Sequence, residues 1–218
     1  MGSSAKPPTG YTKKAMAGDV AGLLDQLGIG QANIAGHDIG AAVAFSFAAH
    51  FPRQTSTLIL LDSPHPDDNL YKLPVLPVGA GVYPWWLAFN QIRDLPEQPL
   101  EGQFDLVQNW LFDQLLEDKT AISPFDRQVY ARAYNSRDAI RASNGWYQAF
   151  AEDIQAIRGQ KIEATTLDIA SPAGYAMLTS VLPPYVDTLT LQKVAGSGHF
   201  VQEEKPVETA RFISDFLG

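Results

Sequence analysis

The chain has 218 residues, 45% of them hydrophobic and 18% charged, with a net charge of −8 and no cysteine. That length buries a full core as one domain, or one domain with an insertion. The acidic balance argues against a basic surface for nucleic acid or anionic membranes, and the missing thiols exclude disulfides, thiolate chemistry and cysteine-held zinc. No apolar run reaches the ~18 residues that suggest a membrane-spanning helix, and the opening "MGSSAKPPTGYTKK" carries no apolar signal region. A cytoplasmic protein is expected.

Residues 12–27 place Met16, Val20, Leu23, Leu24 and Leu27 at helical spacing, with Gly28 positioned to stop the helix. "QANIAGHD" reads as a short buried strand running into a turn at Asp38. "AAVAFSFAAHF" reads as a nearly all-apolar helix, closed by Pro52, that packs against a sheet. "STLILLDS" is a continuous apolar strand of the kind parallel sheets use. Strand, helix and strand at this spacing form a right-handed βαβ unit.

The texture changes over residues 69–158. Pro and Gly punctuate "LPVLPVGAGVYPWW", and helical patterns follow in "FDLVQNWLFDQLLEDK", "PFDRQVYARAYN" and "AIRASNGWYQAFAEDIQAI". This stretch is predicted to be a helical insertion. Beyond it, "KIEATTLDIA" is a strand, "AGYAMLTSVL" a helix, "TLTLQKVAG" a strand, and "EEKPVETARFISDFL" a last amphipathic helix with Pro206 in its first turn. The expected division is core 1–68, insertion 69–158 and core 159–218.

A nucleophile on a sharp strand-to-helix turn is strained and exposed, and small residues two before and two after it let the turn close. In "GHDIG", Gly36 and Gly40 take those places around Asp38. The helix N-terminus behind Asp38 stabilises negative charge, and the Ile39 N–H is a candidate oxyanion donor. A carboxylate gains little by attacking an amide or ester carbonyl, because the product is a mixed anhydride. It suits a saturated electrophilic carbon, such as an epoxide or a carbon–halogen centre, and leaves an ester on the enzyme. A His-activated water then hydrolyses that ester. His199, in "GSGHF" on a Gly-rich loop after the last strand, is the natural general base. His37, His50 and His65 read as structural, and Glu203 and Glu204 as caps for the final helix.

The segments "GHDIGAAVAFSFAAHFP", "LILLDSPHP", "LPE", "NGWYQAF" and "GSGHFVQEEKPVETARFISDFL" together resemble the α/β-hydrolase superfamily, specifically its epoxide hydrolase and dehalogenase branch. The resemblance implies an α/β fold with a mostly parallel sheet and a helical cap over the nucleophile; no metal or organic cofactor is expected, because Asp, His and water suffice. It also implies cap tyrosines that protonate the opening epoxide. Tyr147 matches one of them. Where the other belongs, the chain reads Tyr83-Pro84-Trp85-Trp86, a departure from the family. An indole N–H donates a hydrogen bond but is no acid, so Trp85 or Trp86 is a candidate to hold the oxirane oxygen, and the alternative is that the pair is cap core or a stacking wall.

The carboxylate that orients His199 has two candidates. The commonest family slot, after the seventh strand, reads Ser171-Pro172-Ala173-Gly174 and has no carboxylate; Asp168 precedes it within the strand. A second slot, after the sixth strand, holds Asp62, which is favoured. The family fold has eight strands and only four are read here. The N-terminal part of the core, with its oxyanion turn, is therefore expected to be missing from this chain. Met1 would then be internal to a longer protein or the remnant of a tag. The strand ending at Asp38 would be an exposed edge, needing a homodimer partner or the missing segment to cover it.

The expected function is hydrolysis of a bulky or aromatic small-molecule epoxide to a diol. The resemblance points toward the epoxide hydrolases of actinomycete aromatic polyketide pathways. The alternatives are a dehalogenase, against which Ile39 speaks because those enzymes usually carry Trp or Arg there, and a non-catalytic fragment of the fold.

Overall fold

A computed structural model of the chain describes residues 2–73 and 85–218. Met1 and the Tyr83-Pro84 pair lie outside the described residues. The chain divides into two compact units. One carries the sheet and comprises residues 13–65, 115–121 and 155–218; the other takes the chain up to residue 12 together with 66–114 and 122–154.

The sheet-bearing unit begins with α1 (Lys13–Gln26), β1 (Ala32–His37), α2 (Ile39–His50) and β2 (Thr55–Leu61). The following stretch supplies α3 (Trp85–Phe89), α4 (Glu97–Leu100), α5 (Phe104–Leu115), α6 (Pro124–Tyr134), α7 (Arg137–Gln148) and α8 (Phe150–Ile157). The chain closes with β3 (Thr165–Ala170), α9 (Pro172–Val181), β4 (Leu189–Lys193), α10 (Val201–Glu204) and α11 (Pro206–Leu217). The four expected strands form one sheet in the order β1-β2-β3-β4, parallel throughout.

Apolar periodicity sets the layers. Ala41, Ala44, Phe45 and Ala48 recur at helical spacing along α2 and meet Leu58 and Leu60 of β2 and Leu178 and Leu182 around α9. The small side chains let the helix approach the sheet closely. Another side of α2 offers Phe47 to Ala17, Ala21 and Leu24 of α1. The alternate residues Ile59, Leu61, Leu167 and Ile169 point to the opposite face, where Phe212, Ile213 and Phe216 of α11 cover them. The central strands β2 and β3 are largely buried, as their unbroken apolar runs predict, whereas β1, expected to be a buried strand, alternates half-buried and exposed residues at the sheet edge.

Register decides what the carboxyl edge carries. His37 pairs with Leu61, and Leu61 with Ile169. The next residues, Asp38 and Asp62, therefore leave neighbouring strands at one level. Gly36, Leu60, Asp168 and Leu191 form a single row across the sheet. Asp168 thus shares its face with Leu60 and Leu191 of the apolar cluster under α2 and α9.

The helical unit has its own core, in which Leu100, Phe104 and Ile140 gather Trp86, Phe89, Val107 and Tyr134. Ser123 and Ser136 cap α6 and α7 by accepting from the N–H groups of Asp126 and Ala139. The Arg141 guanidinium of α7 donates to the carbonyls of Lys6 and Pro7 at 2.6 and 2.9 Å, which fastens the first residues to this unit. The pattern "AIRASNGWYQAFAEDIQAI" is two helices broken at Ala149, and the final pattern breaks at Lys205, before Pro206.

Leu60 is fully buried between helix and sheet. Leu60→Ala is expected to cost about 2–5 kcal/mol, measured as a lower denaturant midpoint with an unchanged slope.

Candidate active site

Each strand of the sheet ends at a residue or loop of the site, which is where open parallel sheets build ligand crevices. Asp38 follows β1 directly, with φ 53° and ψ −123°, a strained backbone for a non-glycine residue. The strain survives because the turn is locked on both sides. A Cβ at Gly36 would collide with the carbonyl of Gly40. The N–H groups of Ala41 and Ala42 both bond to the Asp38 carbonyl, starting α2. Gly40 itself has open space where a Cβ would stand, so of the two expected small positions the steric demand falls on Gly36.

Asp38 Oδ1 accepts the Ile39 N–H at 2.5 Å, and Oδ2 meets His199 Nε2 at 2.8 Å. The other ring nitrogen of His199, Nδ1, lies 2.9 Å from Asp62 Oδ2. Asp62 Oδ1 accepts from the backbone N–H of Ser171 at 2.7 Å and from its hydroxyl at 2.8 Å. Asp62 also has a positive φ, of 51°. Gly174 is required beneath it, since a Cβ there would strike its carboxylate. The segment Ser171-Pro172-Ala173-Gly174 thus supplies no carboxylate of its own but holds one from the neighbouring strand. Asp168 lies within β3, fully buried, with neither carboxylate oxygen hydrogen-bonded.

Exposure grades the three groups: the side chain of Asp62 keeps 5% of its surface accessible, that of His199 16% and that of Asp38 49%. The open end of the array is therefore the carboxylate on the elbow. Burial alone would depress the His199 pKa, but hydrogen bonds to Asp38 and Asp62, and their charges, hold it up at about 10. Burial would raise that of Asp38, and the His199 hydrogen bond and charge override it, to about 2. The resting ring is imidazolium, donating at both nitrogens.

The loop around His199 is pinned by residues whose part the sequence did not disclose. His37 Nε2–H donates to the His199 carbonyl at 2.9 Å, while Gln202 donates to His37 Nδ1 at 3.4 Å. Burial and the positive His199 push the His37 pKa below its ordinary value, which fits a neutral ring with its proton on Nε2. The His199 N–H donates to the Leu115 carbonyl at 2.8 Å. Glu204 makes no cap bond to α11; its carboxylate instead accepts from the N–H groups of Gly198, Glu117 and Asp118 at 2.7–2.8 Å. His50, at the end of α2, donates to the Ser46 carbonyl at 2.8 Å.

In the helical unit the Trp86 indole N–H donates to the Tyr147 hydroxyl oxygen at 3.0 Å. Tyr147 is buried. Trp85 packs edge-on against Trp86 and Trp110, at centroid distances of 5.5 and 5.4 Å. Among the described residues, no group of three or more His, Asp or Glu side chains is arranged to hold a metal ion, and no helix is long and apolar enough to cross a membrane.

Comparison with known proteins places this geometry in a family. Residues 1–206 match the alpha/beta hydrolase fold, and the chain belongs to that family. It is 30% identical over 146 residues to an AB hydrolase superfamily protein, YfhM, of Bacillus subtilis, a match covering 64% of this chain and 48% of that protein. It is 25% identical over 217 residues to a soluble epoxide hydrolase of a Corynebacterium species, covering 94% of this chain and 73% of that one. Among solved structures, Cfl2 of Burkholderia cenocepacia superposes with a TM-score of 0.86 at 29% identity, covering 99% of this chain and 75% of that one. The chain thus spans about half to three quarters of the length of these relatives.

Two titrations follow. With the Asp38 charge removed in Asp38→Asn, the His199 pKa should fall by about 1–2 units, the equivalent of one charged hydrogen bond, read from the ring ¹⁵N shifts. Burial, with the charge of Asp62, pushes the Asp168 pKa well above its ordinary value. Its folded-state proton therefore weakens the fold progressively as pH rises above about 4. Asp168→Asn should gain stability relative to the parent as pH rises from about 4 toward the raised folded-state pKa of Asp168 and level off beyond it, measured by denaturant unfolding across that range.

Proposed function

We propose that this chain carries the catalytic apparatus of an epoxide hydrolase working through an Asp38 ester. The observation that carries the reading is the His199 ring held between Asp38 Oδ2 at 2.8 Å and Asp62 Oδ2 at 2.9 Å, with the Ile39 N–H on the remaining oxygen of an exposed elbow carboxylate. Asp38 Oδ2 attacks an oxirane carbon, the C–O bond breaks, and Tyr147 gives its proton to the released oxygen. The Trp86 N–H on the phenol oxygen stabilises the phenolate this leaves. With its indole proton so placed, Trp86 serves Tyr147, and the aromatic ring cluster of Trp85, Trp86 and Trp110 suits a bulky or aromatic substrate. The likeness to enzymes of aromatic polyketide pathways extends the same proposal.

Proton accounting closes the cycle. Alkylation removes the Asp38 charge, and with it one of the two carboxylates that raise the His199 pKa. The imidazolium then yields its proton through solvent to the Tyr147 phenolate, which restores the phenol and frees a neutral base. His199, oriented by Asp62, takes a proton from water as the water adds to Cγ of Asp38. The Ile39 N–H supports the oxyanion. Collapse breaks the Cγ–O bond to the substrate; the imidazolium protonates the departing alkoxide to give the diol and takes back the proton of the added hydroxyl, which regenerates the carboxylate and imidazolium. The base is thus held in reserve until the nucleophile has reacted.

His199→Gln should form the ester and fail to hydrolyse it. Intact-mass analysis with aryl and alkyl epoxides should show one substrate added, mapped to the peptide containing Asp38, and Asp38→Asn should show none. Tyr147→Phe should slow ring opening by about 10²–10⁴-fold. Absence of any adduct in His199→Gln together with absence of diol from the parent would sink the reading; halide release without diol formation would replace it with dehalogenation.

A further inference from the structure

Glu204 has no place in the proposed reaction, yet its carboxylate accepts three backbone hydrogen bonds beside the site. Oε1 accepts the Gly198 N–H at 2.7 Å, and Oε2 accepts the N–H groups of Glu117 and Asp118, both at 2.8 Å. These are short bonds to an ionised acceptor, the strong kind. They draw together the residue before His199 and the connection between α5 and α6. The contact is tight enough that a Cβ at Gly198 would collide with the Leu115 carbonyl. The same carbonyl accepts the His199 N–H at 2.8 Å, while the His199 carbonyl is taken by His37. The backbone on both sides of His199 is therefore fixed by partners outside its own loop, and Glu204 ties down the strap at residues 115–118 on which that depends.

We infer that Glu204 is a positioning residue for the second half of the reaction. It clamps the 115–118 strap onto the Gly198-His199 loop so that the imidazole is aimed at the hydrolytic water rather than merely kept near Asp38. The inference rests on the roles given above to Asp38 and His199. Ring opening needs Asp38, whose turn is locked by Gly36 and α2, independently of the strap. Ester hydrolysis needs the water-activating nitrogen in place, and misplacement by about 1 Å can cost 10²-fold. A carboxamide cannot replace the carboxylate, because both oxygens act as acceptors and an amide has one.

The test compares the two steps in Glu204→Gln and Glu204→Asp, the second keeping the charge with a shorter reach. Stopped-flow and quenched intact-mass measurements with a reactive aryl epoxide should show ester formation at the parental rate. Hydrolysis should be slower by about 10- to 100-fold, so that the ester accumulates at steady state and KM falls with kcat. A substrate-free readout accompanies it: the low-field Nδ1–H proton resonance of His199, held by Asp62 in the parent, should broaden and exchange faster in both variants while the melting profile remains cooperative. Equal slowing of both steps, or an unchanged hydrolysis rate, overturns the proposal. His199→Gln separates the two ideas. If that variant traps no ester, the reaction scheme fails, and an unperturbed Nδ1–H resonance in the Glu204 variants would overturn the positioning role by itself.

Discussion

The site turns on one arrangement: an imidazole ring bonded at both nitrogens to carboxylates of very different exposure. Asp62 is buried and saturated by Ser171, so it stays where it is. Asp38 stands on a strained turn, open to approach. A ring between such partners is positively charged at rest, and the charge in turn keeps Asp38 ionised far below its ordinary range. Under the proposed reaction, Asp38 and His199 hold each other in the charge states from which ring opening starts. The proposed ester hydrolysis calls for the opposite state of the ring, and alkylation of Asp38 would supply it by neutralising one carboxylate.

The same economy is visible in the helical unit. A second phenol in place of Trp86 would offer another acid. The indole offers a donor that cannot lose its proton, aimed at the oxygen of Tyr147. Under the proposed reaction the two residues are unequal partners, one transferring a proton and the other holding the charge that remains. The surrounding ring contacts of Phe89, Phe104 and Trp85 fix the indole plane, so the donor is oriented before any ligand arrives.

Much of this was legible in the sequence because it was written in local patterns. The glycine before Asp38, the unbroken apolar strands and the Gly-His after the last strand each follow from short-range constraints, and four strands in parallel follow from their spacing. Register adds that residues directly after neighbouring strands, such as Asp38 and Asp62, emerge together. What the sequence hid are contacts between distant segments. Nothing in "SPAG" announces that its serine and glycine serve a carboxylate more than 100 residues earlier. Glu204 sits where a helix-capping acid would sit, and only the fold brings residues 115–118 beside it. The break at Ala149 was obscured because the apolar spacing continues across it, and the idle steric space at Gly40 because both glycines fit the motif equally well.

The strap at residues 115–121 also limits how the protein can be rebuilt. Helical insertions are attractive cassettes for exchange between relatives, since they alter the lining of a crevice while leaving the sheet alone. Here the insertion lends its Leu115 carbonyl to the loop that carries His199 and two backbone amides to the carboxylate of Glu204. A transplanted cassette that matched every substrate-facing side chain but altered the length or backbone path of this seven-residue connection would strip Glu204 of two of its three backbone donors. Recombination points that keep this contact therefore fall before Leu115 and after Ala121, with the connection kept as part of the recipient.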